Sequence, residues 1–319
     1  MRSPDIAEHY VTLFDRHFLP QGLCLYRSLV RHASPLHLWI LCIDEEVERA
    51  LRALDLPDVT LLPLSSVETG PLLAVKGART LGEYCWTLTP FTADFVFARA
   101  PDIGRVTYLD ADLFFFAPPA PILDEFGASG KHVLITEHAY APEYEYYSPL
   151  VGRFCVQFMT FRNSRPAAEV SAWWQARCLE WCFARAEDGK FGDQKYLDDW
   201  PERFPAQVHV LQQKDKALAP WNARFFEASG QGRLAPVFFH FQGLRIHAGR
   251  KVTLYSGYRI GHAGRELYRR YLEDLKHAAQ ELDARNIPIA YLAREAGMRA
   301  RLVRAARLVG GVEARSTLN

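Results

Sequence analysis

Two aspartates one residue apart, Asp110 and Asp112, close the apolar run Val106-Thr107-Tyr108-Leu109. In extended geometry residues i and i+2 point the same way, so both carboxylates would converge while Ala111 points away. Paired carboxylates at the end of a strand suit a hard divalent cation such as Mn²⁺ or Mg²⁺, with phosphate oxygens and water completing the shell. A bare pair of this kind also occurs in solvated turns. Here Leu113-Phe114-Phe115-Phe116 follows, so the segment is expected to be buried, and a buried carboxylate pair is costly without a compensating cation. Aspartyl phosphatases place a similar pair after a strand, but they continue with a small Thr or Val where this chain has Phe114.

Two further constellations carry possible chemistry. In Phe238-Phe239-His240-Phe241-Gln242-Gly243, His240 interrupts a β-prone run. It reads either as a core histidine bonded to backbone, the commoner fate of a lone His, or as a third metal ligand. Gly243 would let a phosphate approach the backbone closely. In Phe191-Gly192-Asp193-Gln194, Asp193 reads either as a helix N-cap or, with Gln194, as a pair gripping sugar hydroxyls. Spacing alone does not separate these readings.

The elements that must position these residues alternate in type. His9–Phe14 reads as a strand, Pro20 opens a helix with Leu23, Tyr26 and Val30 on one face, and Leu36–Ile43 is a continuous apolar strand. Asp44 caps an acidic helix start, and Val59–Leu64 is the next strand. This βαβαβ order predicts a mostly parallel sheet with helices on both faces. Ligands then sit at the carboxyl ends of strands, which directs attention to Asp15, Asp44 and Asp110. Helical segments within 79–99, strands at 105–109, 131–136, 155–161, 207–211 and 237–241, and a helix at 167–183 continue the pattern. From Gly264 onward only helices are expected.

The 319 residues carry a net charge of +1, which argues against a nucleic-acid protein acting by broad counterion release. No apolar run reaches 18 residues, and Met1-Arg2-Ser3-Pro4-Asp5 opens no apolar signal segment. The six cysteines form no CxxC pair and read as reduced thiols. The expectation is a cytoplasmic protein.

The ordered set of strand-DxD, loop-helix GDQ and HFxG resembles the retaining GT-A glycosyltransferases, particularly glycosyltransferase family 8 and its bacterial relatives. The resemblance spans roughly residues 9–250. Tyr10–Asp15, Leu25–Leu29, Leu41–Asp44 and Arg79–Pro90 are similar to the flanking segments of that family. The fold implied is α/β: a Rossmann-like, mixed and mostly parallel sheet flanked by helices, with a GT-A domain over 1–262 and a C-terminal helical extension over 263–319. The activity implied is transfer of a hexose, with retention, from a nucleoside-diphosphate sugar, a UDP-sugar foremost, to a hydroxyl of a glycan or glycolipid. Such work belongs to polysaccharide or lipopolysaccharide biosynthesis.

The resemblance assigns Asp110, Asp112 and His240 to Mn²⁺ or Mg²⁺, Asp110 also to the donor, and Asp193 and Gln194 to the reacting face of the donor sugar. Thr12 and Phe14 would flank the nucleobase, and Arg79 would face the phosphates or the sugar. Among Arg245, Arg250 and Lys251, no choice of diphosphate partner is possible from sequence. The family's NxG stretch corresponds to Phe154–Phe158, where Asn is missing and either Gln157 takes its role or Cys155 simply packs.

Two alternatives stand beside this reading. One is a sugar-phosphate nucleotidylyltransferase, which would carry a Gly-rich basic loop where this chain has Asp15–Pro20. The other is a non-catalytic carbohydrate- or nucleotide-binding protein on the same fold. On the acceptor side, Glu137–Tyr147 offers Tyr144 and Tyr146 for stacking on sugars, or is a plain surface loop. The tail places Arg301, Arg304 and Arg307 beside Leu302, Val303 and Leu308. A basic helix there would either touch the inner membrane face peripherally or present a solvated surface.

Overall fold

The computed structural model describes residues 7–291 and 313–318. A seven-stranded sheet forms its centre: β1 (Glu8–Phe14), β2 (Leu36–Cys42), β3 (Val59–Pro63), β4 (Arg105–Leu109), β6 (Val133–Glu137), β7 (Phe154–Arg162) and β8 (Val208–Val210), in the order β3-β2-β1-β4-β7-β6-β8. Every pairing is parallel except those of β7 with β4 and β6. Helices Leu19–Ala33 and Glu45–Leu54 make the crossovers between the first strands. The chain winds outward from β1 through β2 to β3, then returns to place β4 on the other side of β1. That reversal opens a crevice at the carboxyl ends of β1 and β4.

A second sheet sits across this crevice. It joins β5 (Leu113–Phe115), β9 (Ala217–Leu218) and β10 (Phe238–His240), with β10 antiparallel to β5 and parallel to β9. Its register sets His240 opposite Leu113, one residue beyond Asp112. Thus the aromatic run Leu113–Phe116, read from sequence as a cause of burial, is itself a strand.

A third sheet contains β11 (Arg245–His247), β12 (Lys251–Ser256) and β13 (Glu313–Thr317), all antiparallel. The expectation of helices alone after Gly264 fails at β13. Five residues with one β-branched side chain carry little strand signal of their own, and β12 supplies the ladder. Helix His262–Ala284 buries Leu267, Tyr268, Tyr271 and Leu275 against the β5–β10 aromatics. Tyr271 stacks on Phe241 at 3.8 Å between ring centres. The basic segment with Arg301, Arg304 and Arg307 lies outside the described residues. Among those described, no helix is long and apolar enough to cross a membrane.

Candidate active site

The Asp110–Asp112 pair sits in a tight turn, not in extended chain. The Leu113 amide donates to the Asp110 carbonyl at 3.1 Å, closing the turn between β4 and β5. The expected alternation is therefore replaced, and Ala111 also faces the cleft instead of pointing away. Turning the chain brings both carboxylates to His240: Nε2 lies 3.1 Å from Asp112 Oδ1 and 3.6 Å from Asp110 Oδ2. One ligand atom from each of the three residues lies within 4.8 Å of the others.

Electrostatics follow from burial and this contact. Burial raises the Asp110 carboxyl above its usual range, against the pull of His240. For Asp112 burial acts the same way, but adjacent His240 more than offsets it and the net shift is downward. Burial alone would lower the His240 imidazole; Asp112 reverses this and holds it well above its ordinary value. Two carboxylates and one imidazole in this space fit a divalent cation, which would replace the His240–Asp112 contact with bonds to all three.

The cluster lies in a cleft of about 740 Å³. Its walls come from four places. Phe14 and Asp15 end β1, and Asp15 accepts from the His17 backbone at 3.0 Å while its other oxygen meets His17 Nδ1 at 2.8 Å. Helix Leu81–Leu88, started by a Thr80–Glu83 capping box, turns Leu81, Gly82, Cys85 and Trp86 inward on one face. Loop residues Phe191, Asp193 and Gln194 form the third wall, and His138, Tyr140, Tyr147, Trp221 and Tyr258 the fourth.

Gly192 holds the third wall in place. Its φ of +52° suits glycine, and a Cβ there would meet Trp86 at 3.3 Å. Asp193 precedes a short helical turn, Gln194–Asp199, but its side chain caps no amide of it. Instead Trp174 Nε1 donates to the Asp193 backbone carbonyl at 2.8 Å, and the carboxyl stays buried against the cleft. Burial raises that carboxyl well above the usual range, with further contributions from Cys182 and Asp110. Gln194 donates Nε2 to the Val151 carbonyl at 2.7 Å.

Other sequence candidates are placed differently. Thr12 is fully buried within β1 and does not line the cleft. Arg79 lies outside the cleft lining, its guanidinium 3.8 Å from the centre of the Phe183 ring. Tyr144 is buried, with its hydroxyl accepting from the Arg259 amide at 2.8 Å, and Tyr146 is 58% exposed on the rim. The loop's inward rings are Tyr140 and Tyr147. Gly243 takes φ +82° in the turn closed by Leu244 N–H on the Phe241 carbonyl, so backbone geometry already demands glycine. This turn returns the chain so that Arg245 reaches the cleft over Phe18. Arg250 is held by Asp283 at 2.6 Å, Lys251 is exposed, and neither lines the cleft.

Sequence reading missed Tyr108, whose hydroxyl donates to Asp110 Oδ1 at 2.9 Å, and Trp221, which stands edge-on to His240 with ring centres 5.5 Å apart. No local signal marks either one. Tyr108 acts on a residue two positions on, and Trp221 reaches His240 from a separate loop.

Crevice, cluster and sheet order together define the GT-A fold of nucleotide-diphospho-sugar transferases. Solved structures agree. The galactosyltransferase LgtC, solved with donor and acceptor sugar analogues, matches 87% of this chain and 99% of its own at a TM-score of 0.54 and 13% identity. Mouse xyloside xylosyltransferase 1 matches 75% of this chain and 98% of its own, with a TM-score of 0.50 and 16% identity. GlyE of Streptococcus pneumoniae TIGR4 matches 90% and 66%, with a TM-score of 0.50 and 18% identity. No family model matches the chain. Among curated proteins, YfnD of Bacillus subtilis (strain 168) is 30% identical over 286 residues, covering 86% of this chain and 91% of YfnD. YfnF of the same strain is 34% identical over 250 residues, covering 74% and 82%. Both are described as uncharacterized, and this chain belongs to their family.

Proposed function

We propose that the chain is a metal-dependent retaining glycosyltransferase. It moves a hexose from a nucleoside-diphosphate sugar, a UDP-sugar foremost, to a hydroxyl of a glycan or glycolipid. The observation that carries this reading is the Asp110–Asp112–His240 cluster at the reversal of the sheet, inside a cleft large enough for a nucleotide sugar.

Asp110, Asp112 and His240 would hold Mn²⁺ or Mg²⁺, which supplies Lewis-acid stabilisation of the departing diphosphate. Arg245 adds a fixed positive charge on the same side. Phe14, with Phe18 and His17 beside it, offers a flat apolar seat for the base. Asp193 and Gln194 face the sugar across the cleft. Asp193, whose carboxyl is buried against the cleft wall, is placed to orient a sugar hydroxyl. Gln194 is a weak nucleophile, and its amide oxygen is suited to stabilising an oxocarbenium-like sugar during front-side attack. LgtC has also been solved as an active-site variant with a glutamine changed to glutamate. The acceptor would lean on Tyr140 and Tyr147 and enter past Tyr146.

Thermal unfolding with UDP, GDP, CDP and ADP, each with and without Mn²⁺, tests this on wild type and Asp112→Asn. A ligand at 100 times its Kd adds about 2.7 kcal/mol, enough to shift the midpoint by several degrees. One diphosphate stabilising only with Mn²⁺, and only in wild type, is expected. Absence of any metal-dependent shift would overturn the proposal.

A further inference from the structure

We infer that Gln157 is a positioning residue that fixes which nitrogen of His240 faces the cation; the inference rests on the metal site proposed above. His240 Nδ1 lies 2.8 Å from Gln157 Oε1, and both side chains are buried, at 5% and 1% exposure. The direction of this hydrogen bond follows from the groups behind it. The Thr136 hydroxyl gives its single proton to the Cys155 carbonyl at 3.3 Å, so toward Gln157 it can only accept. Gln157 therefore turns its amide NH₂ to Thr136, at 3.4 Å, and its oxygen to the imidazole. An acceptor at Nδ1 requires a hydrogen there. The Nε2 lone pair is what remains, and it is aimed at the two carboxylates.

Gln157 also touches the other side of the site. Its backbone carbonyl accepts from the Asp110 amide at 3.0 Å. One residue of β7 thus fixes the start of the Asp110–Asp112 turn through its main chain and the tautomer of His240 through its side chain. Trp221, edge-on to the imidazole, restrains the ring plane. A hydrogen bond from the distal nitrogen of a ligating histidine sets both its orientation and its basicity, and its loss typically weakens metal binding by about 10–100-fold. The Cys155 thiol also neighbours the imidazole.

Mn²⁺ affinity, read from the electron paramagnetic resonance of free Mn²⁺, tests the assignment on wild type, Gln157→Leu, Gln157→Glu and Asp112→Asn. We expect Gln157→Leu to bind about 10–100-fold more weakly and Gln157→Glu, which still accepts from Nδ1, to recover most of that loss. Nitrogen-15 spectra of the Mg²⁺-loaded protein should place the His240 proton on Nδ1 in wild type and divide it between the Nδ1-H and Nε2-H tautomers in Gln157→Leu. Where Gln157→Leu does not fold, Thr136→Val frees the amide to turn over, and weaker binding with mixed tautomers is expected. Wild-type affinity and tautomer in the Leu or Val variant, with Asp112→Asn defective, would overturn the role of Gln157 and leave the metal site standing. Failure of wild type to bind either ion would overturn the site itself and this inference with it.

Discussion

His138 shows how burial alone can set the behaviour of a residue. It lies in the cleft wall with its ring stacked on Tyr140, 4.7 Å between centres, and burial pushes it down to about 3. In the unfolded chain a histidine protonates near pH 6.5, so between there and pH 3 the unfolded state holds the extra proton. Stability should fall as pH drops through this window. By pH 5 the loss is on the order of 2 kcal/mol from this group. His138→Phe should remove that part of the slope in urea titrations at pH 7, 6 and 5; an unchanged slope would show that His138 is not the cause. Asp193 is the residue whose chemistry depends most on its surroundings. Asp193→Ala should lower transfer by at least about 100-fold, the usual cost of removing an oriented polar group from a reacting centre. Full activity in a single-turnover assay would take Asp193 out of the reaction.

Elements matter here through the way each one presents a few atoms. Helix Leu19–Ala33 lies so close to β1 that a Cβ on Gly22 would stand 2.5 Å from the Phe14 ring. Gly22 is therefore the space in which Phe14 sits while lining the cleft. Gly22→Ala should cost about 1–3 kcal/mol by overpacking and weaken nucleoside diphosphate binding, measured by chemical denaturation and calorimetry. A stable variant with unchanged binding would show that the helix simply shifts away. The start of helix Glu45–Leu54 was legible, because Asp44 accepts from the Val47 amide at 2.7 Å and its first turn is acidic. Strands β1, β2 and β4 were legible too, since each is an apolar run ending at a carboxylate. Strands β11 and β12, and the short helix Gly70–Lys76, were not. Strands β11 and β12 carry mixed polarity and form a short hairpin with β13 added from far along the chain; the seven-residue helix Gly70–Lys76 is too short for its apolar period to show.

Across the whole molecule the late helix is part of the core that supports the site. Tyr271 is fully buried between Phe114 and Phe241, next to the strands that carry Asp112 and His240. Arg27 and Glu281 tie the same helix to Leu19–Ala33. Tyr271→Ala should cost about 3–5 kcal/mol and loosen the cleft, seen as a lower urea midpoint and faster amide exchange in β10. A midpoint within error of wild type would show that the helix merely decorates the surface. Sequence by itself determined the doubly wound order, because alternating apolar runs and capped helices are local signals. It also determined that Asp110, Asp112 and His240 belong together, though only through the resemblance that joined three weak motifs. Tertiary structure decided the rest. It turned Asp110–Asp112 back on itself, set Arg245 in the cleft wall and Arg250 against Asp283, left Thr12 and Arg79 off the cleft lining, and set Gln157 behind His240. Most of those outcomes depend on contacts between segments far apart in the chain, such as β7 with β4 and His240 with Gln157, and neither residue type nor spacing encodes them.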